Sequence, residues 1–199
     1  MAFKLSLGYN NFKEEEGVEV IRPVFTMADL GQLPDDGKRY EIVQGDLVVS
    51  PSPNRKHQQV VWNLVEFFNR VKRAGFGTAY IAPFDVVFDN HNVTEPDMIF
   101  VRSDRLAIIT DANVQGSPDL IVEVLSPSTR ERDLGVKARL YARSGVLEYW
   151  VADPEVETLA THRLTDEGYR LAGPYRAGET VQSPLFPGII LAVSDLFRP

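Results

Sequence analysis

The chain has 199 residues, 44% of them hydrophobic, with 28 acidic against 21 basic side chains, a formal net charge of −7 and no cysteine. This length supports one domain with a sizeable core. The missing cysteines exclude disulfides and thiolate metal sites, and the acidic balance excludes a broad nucleic-acid-coating surface, which needs concentrated Lys and Arg.

No leading hydrophobic segment and no apolar run of membrane-spanning length stands in the sequence, so no signal peptide or membrane span is expected, and a cytoplasmic location is. Residues 1–25, with the acid run Glu14 to Glu16, lack periodicity and read as an N-terminal arm. Residues 26–199 read as a single domain. A short helix is predicted from Thr26 to Leu33, stopped by Pro34; "RYEIVQGDLVVS" then reads as a β-hairpin turning at Gln44-Gly45-Asp46. From Lys56 to Arg73, Val60, Val61, Leu64, Val65, Phe68 and Val71 recur at helical spacing until Gly75. "PFDVVF", the turn residues "DNHN" and "EPDMIFV" predict a second hairpin. A strand follows from Pro118 to Ser126. Ser128-Thr129-Arg130-Glu131 matches a capping box opening a helix that runs to about Arg143. "LEYWVAD" is a further strand, Asp153-Pro154-Glu155 a turn, and the remainder reads as antiparallel strands ending in a loose C-terminal segment. The fold class is α+β, a mixed central sheet with helices against it.

Two charges sit where apolar residues belong. On the strand, alternation puts Asp119, Ile121, Glu123 and Leu125 on one face, and both faces are mostly apolar, which predicts a central strand. Asp119 is expected at its solvent end. A buried carboxylate needs a partner. Asp119 and Glu123 are about 13 Å apart along an extended strand, too far to share an ion, whereas an acid on an adjacent strand lies close enough. Asp97 in "EPDMIFV" is the best candidate, with Glu95 second. At 100° per residue Lys137 falls among Leu134, Leu140 and Tyr141, while Arg132, Arg139 and Arg143 fall on the opposite, water-facing side. Two carboxylates and a lysine around an open oxygen-ligand site suit metal-assisted phosphodiester hydrolysis: Mg²⁺ takes hard oxygen ligands and keeps waters, and an ammonium can hold the attacking water. A structural ion pair with Arg or Lys fits Glu123 and Asp97 equally, and an i,i+4 pair with Asp133 is the ordinary reading of Lys137.

Three further residues are auxiliary candidates. His57 lies on the buried face near a helix start and reads as a core or capping histidine whose helix end can approach the site. Glu41 is an auxiliary acid or, as the preferred reading, an edge-strand surface charge. Asp85 in "PFDVVF" has an uncertain register. Tyr141, Tyr149 and Trp150 read as core.

"YEIVQGDLVVSPSP" followed by His57, "EPDMIFV" and above all "PDLIVEVLSPSTRERDLGVKARLYARSGVLEYWVADP" resemble the PD-(D/E)XK nuclease superfamily, and within it the bacterial Uma-type restriction endonuclease family, over about Thr26 to Leu196. The resemblance implies a restriction-endonuclease-like fold, DNA as substrate, a divalent ion (Mg²⁺, with Mn²⁺ as substitute), Asp97 and Glu123 as its ligands and a homodimer. One departure stands out. Leu125 occupies the place, two after Glu123, where the superfamily carries lysine, so Lys137 would take that role from the following helix. A non-catalytic nucleic-acid-binding or regulatory module that kept the fold is the competing expectation.

Overall fold

The computed structural model describes residues 8–13 and 19–199, with side chains from Pro23 onward; the acid run Glu14–Glu16 lies outside the described residues. Within the segment read as an arm, β1 (Gly8–Lys13) pairs antiparallel with β2 (Glu19–Val24). Helix α1 (Met27–Leu30) starts at Thr26, whose backbone N and Oγ1 both donate to Asp29 Oδ2, at 2.9 and 2.6 Å. The first hairpin forms as β3 (Arg39–Val43) and β4 (Asp46–Ser50). Gln44 and Gly45 turn it with φ of 56° and 83°, the left-handed pair that matches strand twist. Asn54 caps α2 (Arg55–Arg73), accepting from His57 N at 3.0 Å.

The second hairpin differs from expectation. β6 (Asp85–Asp89) pairs with β7 (Asn92–Thr94), not with "MIFV". The chain then leaves that sheet at Glu95-Pro96-Asp97, and β8 (Met98–Arg102) joins another, beside β5 (Gly77–Ile81). A prolyl nitrogen cannot donate to a ladder, so the strand run breaks there. A 3₁₀ turn (Ser103–Ile108) and β9 (Asn113–Gln115) lead to β10 (Leu120–Val124).

The predicted capping box does not form. The helix after β10 opens at Thr129 without a side-chain cap and has three parts: α3 (Arg130–Arg132), a π-helical turn (Asp133–Lys137) and α4 (Ala138–Arg143). β11 (Glu148–Asp153), β12 (Thr158–Thr165), β13 (Gly168–Leu171), β14 (Tyr175–Arg176), β15 (Thr180–Gln182) and β16 (Ile190–Ala192) follow. The C-terminal segment is not loose. It forms α5 (Val193–Phe197), with Val193 and Leu196 fully buried.

The main sheet has the order β13-β12-β11-β10-β8-β5, with β14 also on β12. β10 and β11 are parallel; β8 runs antiparallel to β10 with Met98 opposite Val122. The second sheet runs β4-β3-β7-β6-β9. Alternation on the main strands builds two cores. Met98, Phe100, Val122, Val124 and Trp150 pack on Leu64, Phe67 and Phe68 of α2 and on Phe186 and Leu196. Ile99, Ile121, Leu125, Tyr149 and Val151 pack on Leu140 and Tyr141 of α4 and on Val43 and Val86 of the second sheet. Tyr141, Tyr149 and Trp150 are core, as read from sequence.

Asp119 is not at a solvent end. It is fully buried, accepting from Arg102 N at 2.9 Å and Arg105 Nη1 at 2.7 Å. Its own strand carried no sign of those donors, which come from the β8 end and the 3₁₀ turn.

Candidate active site

Period two places Glu123 on the same side of the main sheet as Ile121 and Leu125. Asp97 precedes β8, whose register with β10 carries it beside the Glu123–Val124 step, and its Oδ2 accepts from Val124 N at 2.8 Å. Lys137 closes the π turn and is 3% exposed; its Nζ stands 2.7 Å from Glu123 Oε1, 2.9 Å from Glu41 Oε1 and 3.7 Å from Asp133 Oδ1. Glu123, Lys137 and Asp97 therefore line one cleft of about 150 Å³.

Glu41 is not a surface charge. It is buried, because β3 is inside the second sheet, between β4 and β7, and that sheet packs over the Glu123 face. Its Oε1 also accepts from Glu95 N at 2.9 Å, tying the crossover before Asp97 to the lysine. His57 is buried, with Nε2 3.0 Å from Asp97 Oδ2, while its Nδ1 is buried without a partner. Asp85 does not line the cleft.

Arg39, which the sequence reading passed over, donates to Asp97 Oδ1 at 2.9 Å. Its Nε also lies 3.0 Å from Glu95 Oε1, an ion pair by distance whose geometry makes no hydrogen bond. Its place before an apolar run, two residues from Glu41, was the available signal: residues i and i+2 of a strand share a face.

Arg132 and Leu134 contradict the ideal helical wheel. Arg132 lines the cleft and donates from Nη2 to Ser50 Oγ at 2.8 Å, whereas Leu134 is 48% exposed. A π turn holds more residues than an α turn, so positions before it rotate relative to those after it. Arg139 and Arg143 follow the turn and face water as expected.

Burial sets the electrostatics. It pushes the Glu123 carboxyl up to about 8 despite Lys137, with Asp133, Asp97 and Glu41 adding to the rise. Burial pulls the Lys137 ammonium down; Glu123, Glu41 and Asp133 outweigh this and hold it well above its ordinary range. Asp97 is lowered, because His57, the Val124 amide and Arg39 together outweigh its burial. Glu95 is raised to about 7 by burial, against the pull of Arg39.

The donor set fits a divalent ion. Five carboxylates (Glu41, Glu95, Asp97, Glu123 and Asp133) line the cleft against three permanent cations (Arg39, Arg132 and Lys137), so acids outnumber bases there. Lys137 and the Tyr141 hydroxyl, 2.7 Å away, both engage Glu123 Oε1, so Oε2 is the oxygen left for a ligand. Among the described residues no three or more His, Asp or Glu side chains are gathered as if around an ion, so the fit is to a two-carboxylate site completed by other oxygens.

The mixed central sheet with helices against it is a restriction-endonuclease-like fold. The family described as "Putative restriction endonuclease", Uma2, matches residues 27–194, and the chain belongs to it. A solved structure described as a putative nuclease from Anabaena variabilis shares the fold with a TM-score of 0.72 at 22% identity, over 87% of this chain and 97% of that one. The type IIG restriction endonuclease BpuSI aligns at a TM-score of 0.40 and 14% identity, over 76% of this chain and 17% of its own. An uncharacterized protein of Synechocystis is 37% identical over 83 residues, which is 41% of this chain and 43% of that relative's length. Among the described residues no helix is long and apolar enough to cross a membrane.

Proposed function

We propose that the protein is a Mg²⁺-dependent endonuclease that hydrolyses phosphodiester bonds in DNA, with Asp97 and Glu123 as metal ligands and Lys137 beside the attacking water. The observation that carries this reading is the Lys137 ammonium, 3% exposed and 2.7 Å from Glu123, in a cleft with more carboxylates than cations. A structural pair on an ordinary helix face would not bring a second acid, Glu41, from another sheet to the same nitrogen. When bound, Mg²⁺ (or Mn²⁺) would supply a polarised water and offset phosphate charge.

The chain's own groups have distinct tasks. His57 and the Val124 amide hold Asp97 Oδ2, fixing the carboxylate plane, while Oδ1 meets only the partly exposed Arg39. Lys137 stands in ion-pair contact with Glu123 and Glu41, where its ammonium can orient a water oxygen or meet the charge that develops on phosphate. Tyr141 keeps Glu123 Oε1 in place. Cutting both strands of a duplex calls for two such centres, which a homodimer in the cytoplasm would provide.

The test is incubation of purified protein with supercoiled plasmid and millimolar Mg²⁺ or Mn²⁺. Metal-dependent nicking is expected, and Asp97→Ala and Lys137→Ala are expected to abolish it. Wild-type protein that leaves the plasmid intact with either metal refutes the catalytic reading. The second reading, a binding module that kept the fold, is favoured by Leu125 in place of the strand lysine and by cations that already engage both acids. DNA binding without nicking would select it.

A further inference from the structure

The three cleft cations are not equivalent. Lys137 is neutralised by Glu123 and Glu41, and Arg39 by Asp97 and Glu95, all within 3.0 Å. Among the described residues Arg132 has only Glu41 Oε2 at 4.0 Å and the neutral hydroxyl of Ser50 at 2.8 Å, and both contacts use Nη2. Its Nε is buried without an acceptor. A guanidinium carries five N–H donors and no acceptor, so most of the hydrogen-bonding capacity of this one goes unused by the protein, while its side chain stays 21% exposed in the cleft.

The wall around it has the matching chemistry. Ser50, Ser52, Ser126, Ser128 and Thr129 line the same cleft. Ser126 Oγ lies 3.1 Å from Ser128 Oγ and 3.0 Å from Thr129 Oγ1, a cluster of three hydroxyls. Hydroxyls and a planar guanidinium fork are the groups that recognise a phosphodiester. The π turn is what aims Arg132 at this wall instead of at water, at the cost of exposing Leu134.

We propose that Arg132, on the hydroxyl-lined wall of the cleft, is a phosphate-binding residue that grips the DNA backbone beside Asp97 and Glu123. The proposal rests on the nuclease reading for its substrate, but binding and cutting can be measured apart. A chain with a net charge of −7 has no general attraction for DNA, so a single under-neutralised guanidinium inside the cleft carries a disproportionate share of the backbone contact.

The experiment measures fluorescence anisotropy of a labelled DNA duplex over a salt series, with Ca²⁺ in place of Mg²⁺, for wild type, Arg132→Gln, Arg132→Lys and Ser50→Ala. Arg132→Gln is expected to weaken binding about tenfold and to lower the slope of log K against log salt by about 0.9, the signature of one lost phosphate contact. Arg132→Lys is expected to keep the slope and lose part of the affinity, and Ser50→Ala to leave the slope unchanged. An Arg132→Gln slope equal to wild type overturns the proposal, as does a slope lost equally in Arg132→Lys, which would mark a structural role. Wild type that does not bind the duplex overturns it too. An Arg132-dependent slope in a protein that never nicks plasmid upholds the subsite and sinks the catalytic reading instead.

Discussion

Replacing Lys137 by methionine keeps most of the side-chain volume and deletes the ammonium that stands 2.7 Å from Glu123 and 2.9 Å from Glu41. Removing one partner of a buried ion pair costs about 3–5 kcal/mol, because the charge left behind has neither water nor a counter-ion. Glu123, once stranded, escapes that cost by binding a proton, so the penalty depends on pH. A carboxylate whose folded pKa is raised loses stability as pH climbs above its unfolded value of 4.5, and the loss stops growing once pH passes the folded value. Glu123 is already raised to about 8 with the lysine present, so in Lys137→Met the loss grows from about pH 5 to beyond pH 8. Near pH 8.5 a cost of about 3 kcal/mol corresponds to about 6–12 °C in Tm for a chain of this size. The assay is thermal and urea unfolding at pH 5.5 and 8.5, with and without Mg²⁺, which is expected to return part of the loss at the higher pH. A Tm change under about 2 °C at pH 8.5, or one equal at both pH values, would show that the lysine does not hold these acids together.

Other outcomes follow from the same contacts. Asp97→Asn is expected to abolish Mn²⁺ binding measured by calorimetry while the fold, followed by circular dichroism, persists, because one amide oxygen can still accept from His57 and Val124 N, and only the partly exposed Arg39 loses its acceptor. Metal affinity of the wild type is expected to rise by up to about tenfold per pH unit from pH 6 to about 8 and then level off, since the ion must displace the proton that burial keeps on Glu123. A flat profile over that range would detach Glu123 from metal binding. Gly77→Ala is expected to lower stability by about 2 kcal/mol or more, read by urea unfolding, because a Cβ there would meet the Val101 carbonyl oxygen and the Phe100 ring where β5 pairs with β8.

The sequence exposed the local and periodic parts of this structure and hid the parts made by distant contacts. The α2 stripe, the Gln44-Gly45 turn and the central strand around Glu123 follow from spacing alone, and so does the inward placing of Lys137. The second sheet was not legible, since β6 pairs with a three-residue strand and, in parallel, with β9 almost thirty residues later. Glu41 was misread for that reason: a single acid in a short hairpin looks like a surface charge until another sheet edge covers it. Arg132 and Leu134 exchanged sides because a wheel of 100° per residue assumes an uninterrupted α-helix. The absent capping box is a smaller case, in which Ser126, Ser128 and Thr129 bond to one another instead of to the helix amides.

The ammonium of Lys137 is moored to one acid from each sheet, Glu123 on β10 and Glu41 on β3. Neither sheet carries the centre by itself: the lysine's two acids meet only where the smaller sheet lies against the larger, so loosening that contact would open the cleft and part its charges together.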